Sequence, residues 1–312
     1  MTERARARLR RAARAALTAA LIAALAWRVP LADVTAALRA VPRAGVALAA
    51  LALVAQIALG ALRWKRMLAR AGEPQPLGAL VADTLVGSAY NLVLPSTVGG
   101  DVVRAVRCAR RLGRPAAAYS TTLFERMIGL PTLALVAAPG ILVVPGGEAL
   151  VAPTLALAVV SLTVVVLARA PLAWLARMAA RRAPAVSGVA EGMSADLAGP
   201  LATRGARAEA VGWTLLYQAA GISILAAFVA PAGDARLVAA IYAGLPLIVV
   251  ATMLPVTIAG VGLRESMFVL VLGRLGVPDA TALALSVLWF ATFFAFALPG
   301  VVIVLLEGRR TR

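Results

Sequence analysis

Asp101 and Arg104 stand three residues apart, a spacing that puts both side chains on one face of a helix. They close the stretch Leu94-Pro95-Ser96-Thr97-Val98-Gly99-Gly100-Asp101-Val102-Val103-Arg104, and Cys108 and Arg111 continue the same face. A helix that opens after Gly99-Gly100 presents its first amides as a positive end, which attracts anions. A guanidinium beside it offers paired donors to phosphate oxygens. The pattern suits a phosphate head group; the plainer alternative is a local Asp–Arg pair that neutralises itself. Asn91, just before the break, could bond a head group or cap a helix end.

Two further charged pairs fall inside apolar runs. Glu125 and Arg126 lie about ten residues into one of them, where an unpaired charge costs at least ~2.5–3.5 kcal/mol. Adjacent helix positions diverge by ~100°, so the two cannot both pair with one group on a single neighbouring face. Arg264 and Glu265 form the mirror pair later in the chain. A cavity-facing role is one reading. The other is a buried structural network in which Glu125 faces Arg264 or Arg104.

The surrounding sequence is duplicated. Leu254-Pro255-Val256-Thr257-Ile258-Ala259-Gly260-Val261-Gly262-Leu263-Arg264 repeats Leu, Pro, Thr, Gly and Arg at the offsets of the first stretch. Each copy leads on to Arg-Leu-Gly, at 111–113 and 274–276. A duplicated apolar segment broken by Gly and Pro is the mark of a transporter built from two structural repeats.

Composition sets the class of protein. Of 312 residues 62% are hydrophobic, against ~45–50% in soluble domains, and several apolar runs reach the ~20 residues that cross a bilayer as a helix. The net charge of +17 does not collect in one patch of the kind that binds nucleic acid. It gathers at the ends of apolar runs, where Lys and Arg mark cytoplasmic loops and meet anionic lipid. One cysteine and no histidine exclude intramolecular disulfides, cysteine-cluster metal sites and His-dependent catalysis. No metal site and no cofactor are expected.

The elements that must position these residues follow from the charge pattern. The reading is an all-α polytopic membrane protein, one integral membrane domain over 1–312 with both termini in the cytoplasm. A first span ends near Trp27, a short amphipathic helix covers 30–43, and a second span runs 44–62 and ends in Arg63, Trp64, Lys65 and Arg66. If 77–94 crossed fully, five arginines from Arg104 to Arg114 would lie outside, against the positive-inside bias. A re-entrant hairpin fits better: in along 77–94, broken at 95–100, out from Asp101. Such a break is tolerated only where protein or a water-filled cavity shelters the backbone. Further spans are expected over 116–138, 149–167, 210–230 and 280–306, with an external turn over 139–148, and a second hairpin enters along 237–254 and leaves along 264–276. Repeat one is 44–168, a cytoplasmic connector 169–209, and repeat two 210–306. About six crossings and two hairpins entering from opposite sides make an inverted repeat. Trp27, Trp64, Trp174 and Trp213 lie near span ends and read as interfacial anchors; Gln56 and Gln218 read as packing residues.

Three motifs in order carry a family resemblance: Asn91 to Arg104, Glu125-Arg126-Met127-Ile128-Gly129, and Pro255 to Glu265. Together they resemble the lysylphosphatidylglycerol synthase transmembrane family, flippase-like integral membrane proteins that include the flippase domain of the multiple peptide resistance factor. The resemblance covers essentially the whole chain. It implies movement of lipids between leaflets, with substrates such as aminoacylated phosphatidylglycerol or polyprenyl-phosphate-linked sugars, in the cytoplasmic (inner) membrane of a bacterium or archaeon. The resistance factor carries a soluble aminoacyl-transferase domain after its membrane part, whereas this sequence stops at Arg312, so lysyl transfer is not expected of it.

The functional expectation is therefore a lipid flippase or scramblase, not an enzyme, that moves an anionic or aminoacylated phospholipid or a polyprenyl-phosphate-linked lipid. Asn91, Gly99, Gly100, Asp101, Arg104, Glu125, Arg126, Gly260, Arg264 and Glu265 are its expected substrate-binding residues, lining one polar cavity, and no catalytic residue is assigned. No Gly-rich Gly-Lys-Ser/Thr nucleotide motif is present. The alternative is a non-catalytic membrane subunit of a lipid-modifying enzyme or glycosyltransferase. Its partners would be that enzyme and a lipid phosphate, with no nucleic acid, alone or as an oligomer.

Overall fold

A computed structural model describes residues 3–93, 99–167, 184–198, 201, 203–253, 257 and 260–310. Among them are twelve α-helices: α1 (Glu3–Arg28), α2 (Leu31–Arg39), α3 (Arg43–Arg70), α4 (Leu77–Val93), α5 (Gly99–Ala109), α6 (Ala116–Val143), α7 (Val151–Leu167), α8 (Pro184–Ala198), α9 (Arg204–Val229), α10 (Ala235–Thr252), α11 (Leu263–Gly273) and α12 (Asp279–Arg310). No strand occurs among the described residues.

Five helices are long and apolar enough to cross a membrane, namely α3, α6, α9 (with the turn after it), α10 and α12. A sixth span results if the end of α1 and α2 are taken as one segment bent by 78°. Pro30 makes that bend, because proline has no N–H to continue the ladder and drives the preceding residue out of the helical region. This is a multi-pass helical membrane protein. α7, expected to cross, has 17 residues, and α10, expected to be a hairpin arm, has 18.

Two boundaries differ from the sequence reading, both for physical reasons. α3 does not stop at 62 but continues to Arg70, because Ala61, Trp64 and Leu68 extend its buried face. Pro139 does not end α6, which runs on to Val143 before turning at Gly146 (φ 81°). Proline is tolerated inside a membrane helix where neighbouring helices, side chains and local adjustment satisfy the carbonyl it leaves free. Residues 169–183 of the expected connector, with the expected anchor Trp174, and the tips 94–98 and 254–256 lie outside the described residues.

The chain divides into two compact units. One comprises Met1–Ala50, Ala137–Thr154 and Ile222–Thr292, the other Leu51–Val136, Leu155–Gly221 and Phe293–Arg312. In the first, α10 and α11 pack on each other, with Gly244 of α10 against Val271 and Leu272 of α11. Gly140 of α6 lies on the backbone of α10, where a Cβ would come within 2.7 Å of the Ala239 carbonyl oxygen. In the second, α4 and α5 pack as the other hairpin through Gly87 and Gly100, whose backbones touch. Gly300 of α12 lies on the α4 backbone at Leu85 and Val86. Pro139-Gly140 and Pro299-Gly300 are separated by the same offset as Arg104 and Arg264. In each case a Pro-Gly step lies on the first helix of a packed pair, Gly140 on α10 and Gly300 on α4.

Candidate functional site

In the second unit α5 begins at Gly99, so Asp101 and Arg104 fall within its first two turns. Asn91, at the end of α4, takes the capping role: its Oδ1 accepts from the Gly100 N–H at 2.8 Å. Gly100 must be glycine, because a Cβ there would strike the Gly87 carbonyl and come within 2.6 Å of the Asn91 amide. The hairpin is locked further along by Asp83, fully buried on α4, which accepts from Arg107 (3.1 Å) and from Arg111; Arg107 also reaches Glu307 of α12 at 2.7 and 2.8 Å.

Asp101 and Arg104 do pair, Nε to Oδ1 at 3.0 Å, but not with each other alone. Arg104 also donates to Glu125 of α6 at 2.8 Å, and Glu125 accepts from Arg63 of α3 at 2.9 Å. The other oxygen of Asp101 is held by Arg126. The result is an alternating row, Arg63–Glu125–Arg104–Asp101–Arg126. The divergence of Glu125 and Arg126 is satisfied by different acids and bases, and of the two partners expected for Glu125 the structure selects Arg104. Most of the row is buried: side-chain exposure is 9% for Arg63, 3% for Glu125 and 10% for Arg104. It rises to 16% at Asp101 and 40% at Arg126, so the row is open at one end.

Aromatic rings carry the buried arginines. Arg63 lies over the Tyr217 ring at 4.4 Å and Arg104 over Trp64 at 4.7 Å, where the ring quadrupole attracts the cation. Trp64 is not an interfacial anchor. It is fully buried, and its indole N–H donates to Thr121 Oγ1 at 3.0 Å. Trp27, by contrast, is 93% exposed. Gln218 donates to the Gly129 carbonyl at 3.2 Å and Gln56 packs on Gly221, consistent with packing roles.

Arg63, Trp64 and Tyr217 were not on the expected list. The signal was present, since Arg63 is one turn from Gly60, whose missing side chain admits Tyr217. The run of basic residues that follows made Arg63 look like part of a loop.

Gly260, Arg264 and Glu265 belong to the first unit. Gly260 (φ 74°) and Gly262 (φ 82°) take the left-handed conformation that favours glycine. Glu265 reaches back to the Gly262 N–H at 2.8 Å, capping α11, and pairs with Arg264. Arg264 is buried over the Phe290 ring at 4.1 Å with Ser286 Oγ at 3.4 Å from its Nε. Thr257, 5% exposed, has a buried hydroxyl without a hydrogen-bond partner among the described residues.

Arg264 and Glu265 are one to one, as are Arg28 with Asp279, Arg70 with Glu209 and Arg114 with Asp196. Arg107 and Arg111 meet Asp83 and Glu307, two to two. The row from Arg63 to Arg126 joins three guanidiniums and two carboxylates. No group of three or more His, Cys, Asp or Glu able to hold a metal occurs among them.

The family model for the lysylphosphatidylglycerol synthase TM region matches residues 11–300. The chain belongs to this family. Among curated proteins none is significantly similar to it. Membership ties this family member to lipid handling in a membrane, and both hairpins and both charged sites lie within the matched residues.

Proposed function

We propose that this protein moves a lipid with a phosphate-containing head group between leaflets, as a flippase or scramblase, and that it is not itself an enzyme. The observation that carries the reading is the row of buried alternating charges, two carboxylates between three guanidiniums, that ends in the partly exposed Arg126. Ionised groups held inside an apolar bundle mark substrate pathways more often than they add stability. A guanidinium at the open end suits a phosphate group, while acyl chains remain in lipid. The substrates in view are anionic or aminoacylated phospholipids and polyprenyl-phosphate-linked lipids.

The chain is read as an inverted repeat with re-entrant hairpins α4–α5 and α10–α11 and with both termini in the cytoplasm of a bacterial or archaeal cell. Supporting this are the duplicated motifs, the exchanged Pro-Gly contacts and the arginine-rich helix ends. Transport without a nucleotide site would run on a gradient or on consumption of the substrate at the far side.

The test is transbilayer movement of fluorescent phospholipid and polyprenyl-phosphate analogues in proteoliposomes. Movement above that in empty vesicles supports transport. Folded protein that moves none, yet is strictly required by a lipid-modifying enzyme in the same membrane, would instead make it a subunit of that enzyme.

A further inference from the structure

We propose that the seam between α3 and α9 holds a resident anionic phospholipid, its phosphodiester on Arg66 and Arg70 and its glycerol backbone beside Trp213. This site is separate from the charge row and does not depend on lipid being moved.

Printed contacts along the seam fix its register. Arg70 of α3 donates to one oxygen of Glu209 of α9 through Nε and Nη2, at 2.9 and 2.8 Å. Met67 and Ala210 share a buried cluster, Gly60 faces the Tyr217 ring, and Gln56 packs on Gly221. The two helices therefore run antiparallel. Arg66 stands one turn from Arg70, and Trp213 one turn from Glu209, so both lie on the flank that carries this ion pair. Gln218 bonds Gly129 of α6 from the opposite flank of α9. The flank of Arg66 and Trp213 is thus turned away from α6.

Donors remain on that flank. Arg66 is exposed, with no hydrogen bond or ion pair among the described residues. Arg70 spends two nitrogens on a single carboxylate oxygen, and its Nη1 has no partner among them. Guanidiniums one turn apart present planar donors to the oxygens of a phosphodiester. Trp213 is half-buried, and a tryptophan ring at the end of a span sits at head-group level. One turn before Arg66 comes Leu62, and three residues after Trp213 comes Leu216, 55% exposed. The seam therefore turns apolar where an acyl chain would follow the head group. Basic pockets between membrane helices hold anionic head groups in this way.

The experiment is native mass spectrometry of the full chain in neutral detergent, with equal amounts of dioleoylphosphatidylglycerol and dioleoylphosphatidylcholine. Wild type should hold one phosphatidylglycerol in preference to phosphatidylcholine, and Arg66→Gln should lower that occupancy about fivefold. Arg66→Lys should lose less, since an ammonium keeps the charge without the planar donors. Arg110, exposed and likewise unpaired among the described residues, is the control, and Arg110→Gln should hold the lipid as wild type does. Arg126→Gln should hold it too. Full retention by Arg66→Gln overturns the proposal. An equal loss in Arg110→Gln also overturns it, because the attraction would then be diffuse surface charge. Displacement by excess glycerophosphoglycerol, the same diester without acyl chains, overturns the lipid reading of the site. Rates of lipid movement in vesicles separate this site from transport. Loss of the lipid in Arg66→Gln at an unchanged rate supports the proposal; a rate that falls with it puts Arg66 on the transport path and overturns residence. Selective retention by a wild type that moves no lipid supports the proposal and overturns only the transport reading.

Discussion

Glu125 of α6 is clasped between Arg63 of α3 and Arg104 of α5, at 2.9 and 2.8 Å, with 3% of its side chain exposed. One carboxylate thus joins α3, α5 and its own helix α6. In water such a pair is near neutral for stability; buried, its worth depends on both partners being present.

Glu125→Gln should therefore destabilise the protein by about 3–5 kcal/mol, because two buried guanidiniums lose their shared counter-charge. Thermal unfolding in detergent, monitored by circular dichroism, is the check. Adding Arg63→Met to Glu125→Gln should recover part of the loss, and strict additivity of the two would count against direct coupling.

Trp64 holds Arg104 from the other side. Trp64→Leu removes the ring beneath the guanidinium and the hydrogen bond to Thr121, and should cost about 2–4 kcal/mol in all. Thr121→Val removes the acceptor only and should cost about 1 kcal/mol. Equal effects of the two substitutions on the unfolding temperature would argue against the stacking role.

The exchanged Pro-Gly contacts give a paired expectation. A Cβ at Gly300 would strike the Leu85 carbonyl, and one at Gly140 would come within 2.7 Å of Ala239. Gly300→Ala and Gly140→Ala should each cost about 1–3 kcal/mol through overpacking. Gly78, with nothing within 4 Å, is the control and should tolerate alanine. Comparable losses at 140 and 300, with none at 78, would support the two contacts being equivalent parts of a repeat.

Gly262 is a different case, since its constraint is the backbone. Its φ of 82° and its place beside Leu21 of α1 make any side chain strained there. Gly262→Ala should lower stability by about 1–2 kcal/mol, measured by the same unfolding assay. Glu265→Gln should cost more, about 3–5 kcal/mol, because an amide oxygen still accepts from the Gly262 N–H but the buried Arg264 loses its carboxylate.

How much of this was legible in the sequence depends on the distance over which the signal acts. The Asp101–Arg104 pair follows from helical spacing, and the packing of α4 on α5 and of α10 on α11 agrees with the two duplicated stretches. Asn91 left two roles open, and the cap is the one observed in the structure. The charge row was only half visible. Glu125 and Arg126 stand out as charges in an apolar run, but Arg63 is hidden by the basic residues that follow it, and no local rule says which helix faces which. Trp64 misled for a related reason: tryptophan near a run of charge reads as an interface anchor until it and its neighbours Ala61, Met67 and Leu68 are seen to be buried. The Pro139-Gly140 and Pro299-Gly300 steps are plain in the sequence, but only packing shows that they lie on α10 and α4.

The most direct test of the transport reading is the rate of fluorescent phosphatidylglycerol movement across proteoliposomes holding wild type, Arg126→Gln or Arg264→Ala, each confirmed folded and equally reconstituted. Movement by wild type that falls at least tenfold in Arg126→Gln, where the open end of the charge row is lost, is the expected result, with a comparable fall in Arg264→Ala. Wild-type movement unchanged by either substitution would contradict a path through these sites, and no movement by wild type for any lipid phosphate would contradict autonomous transport itself.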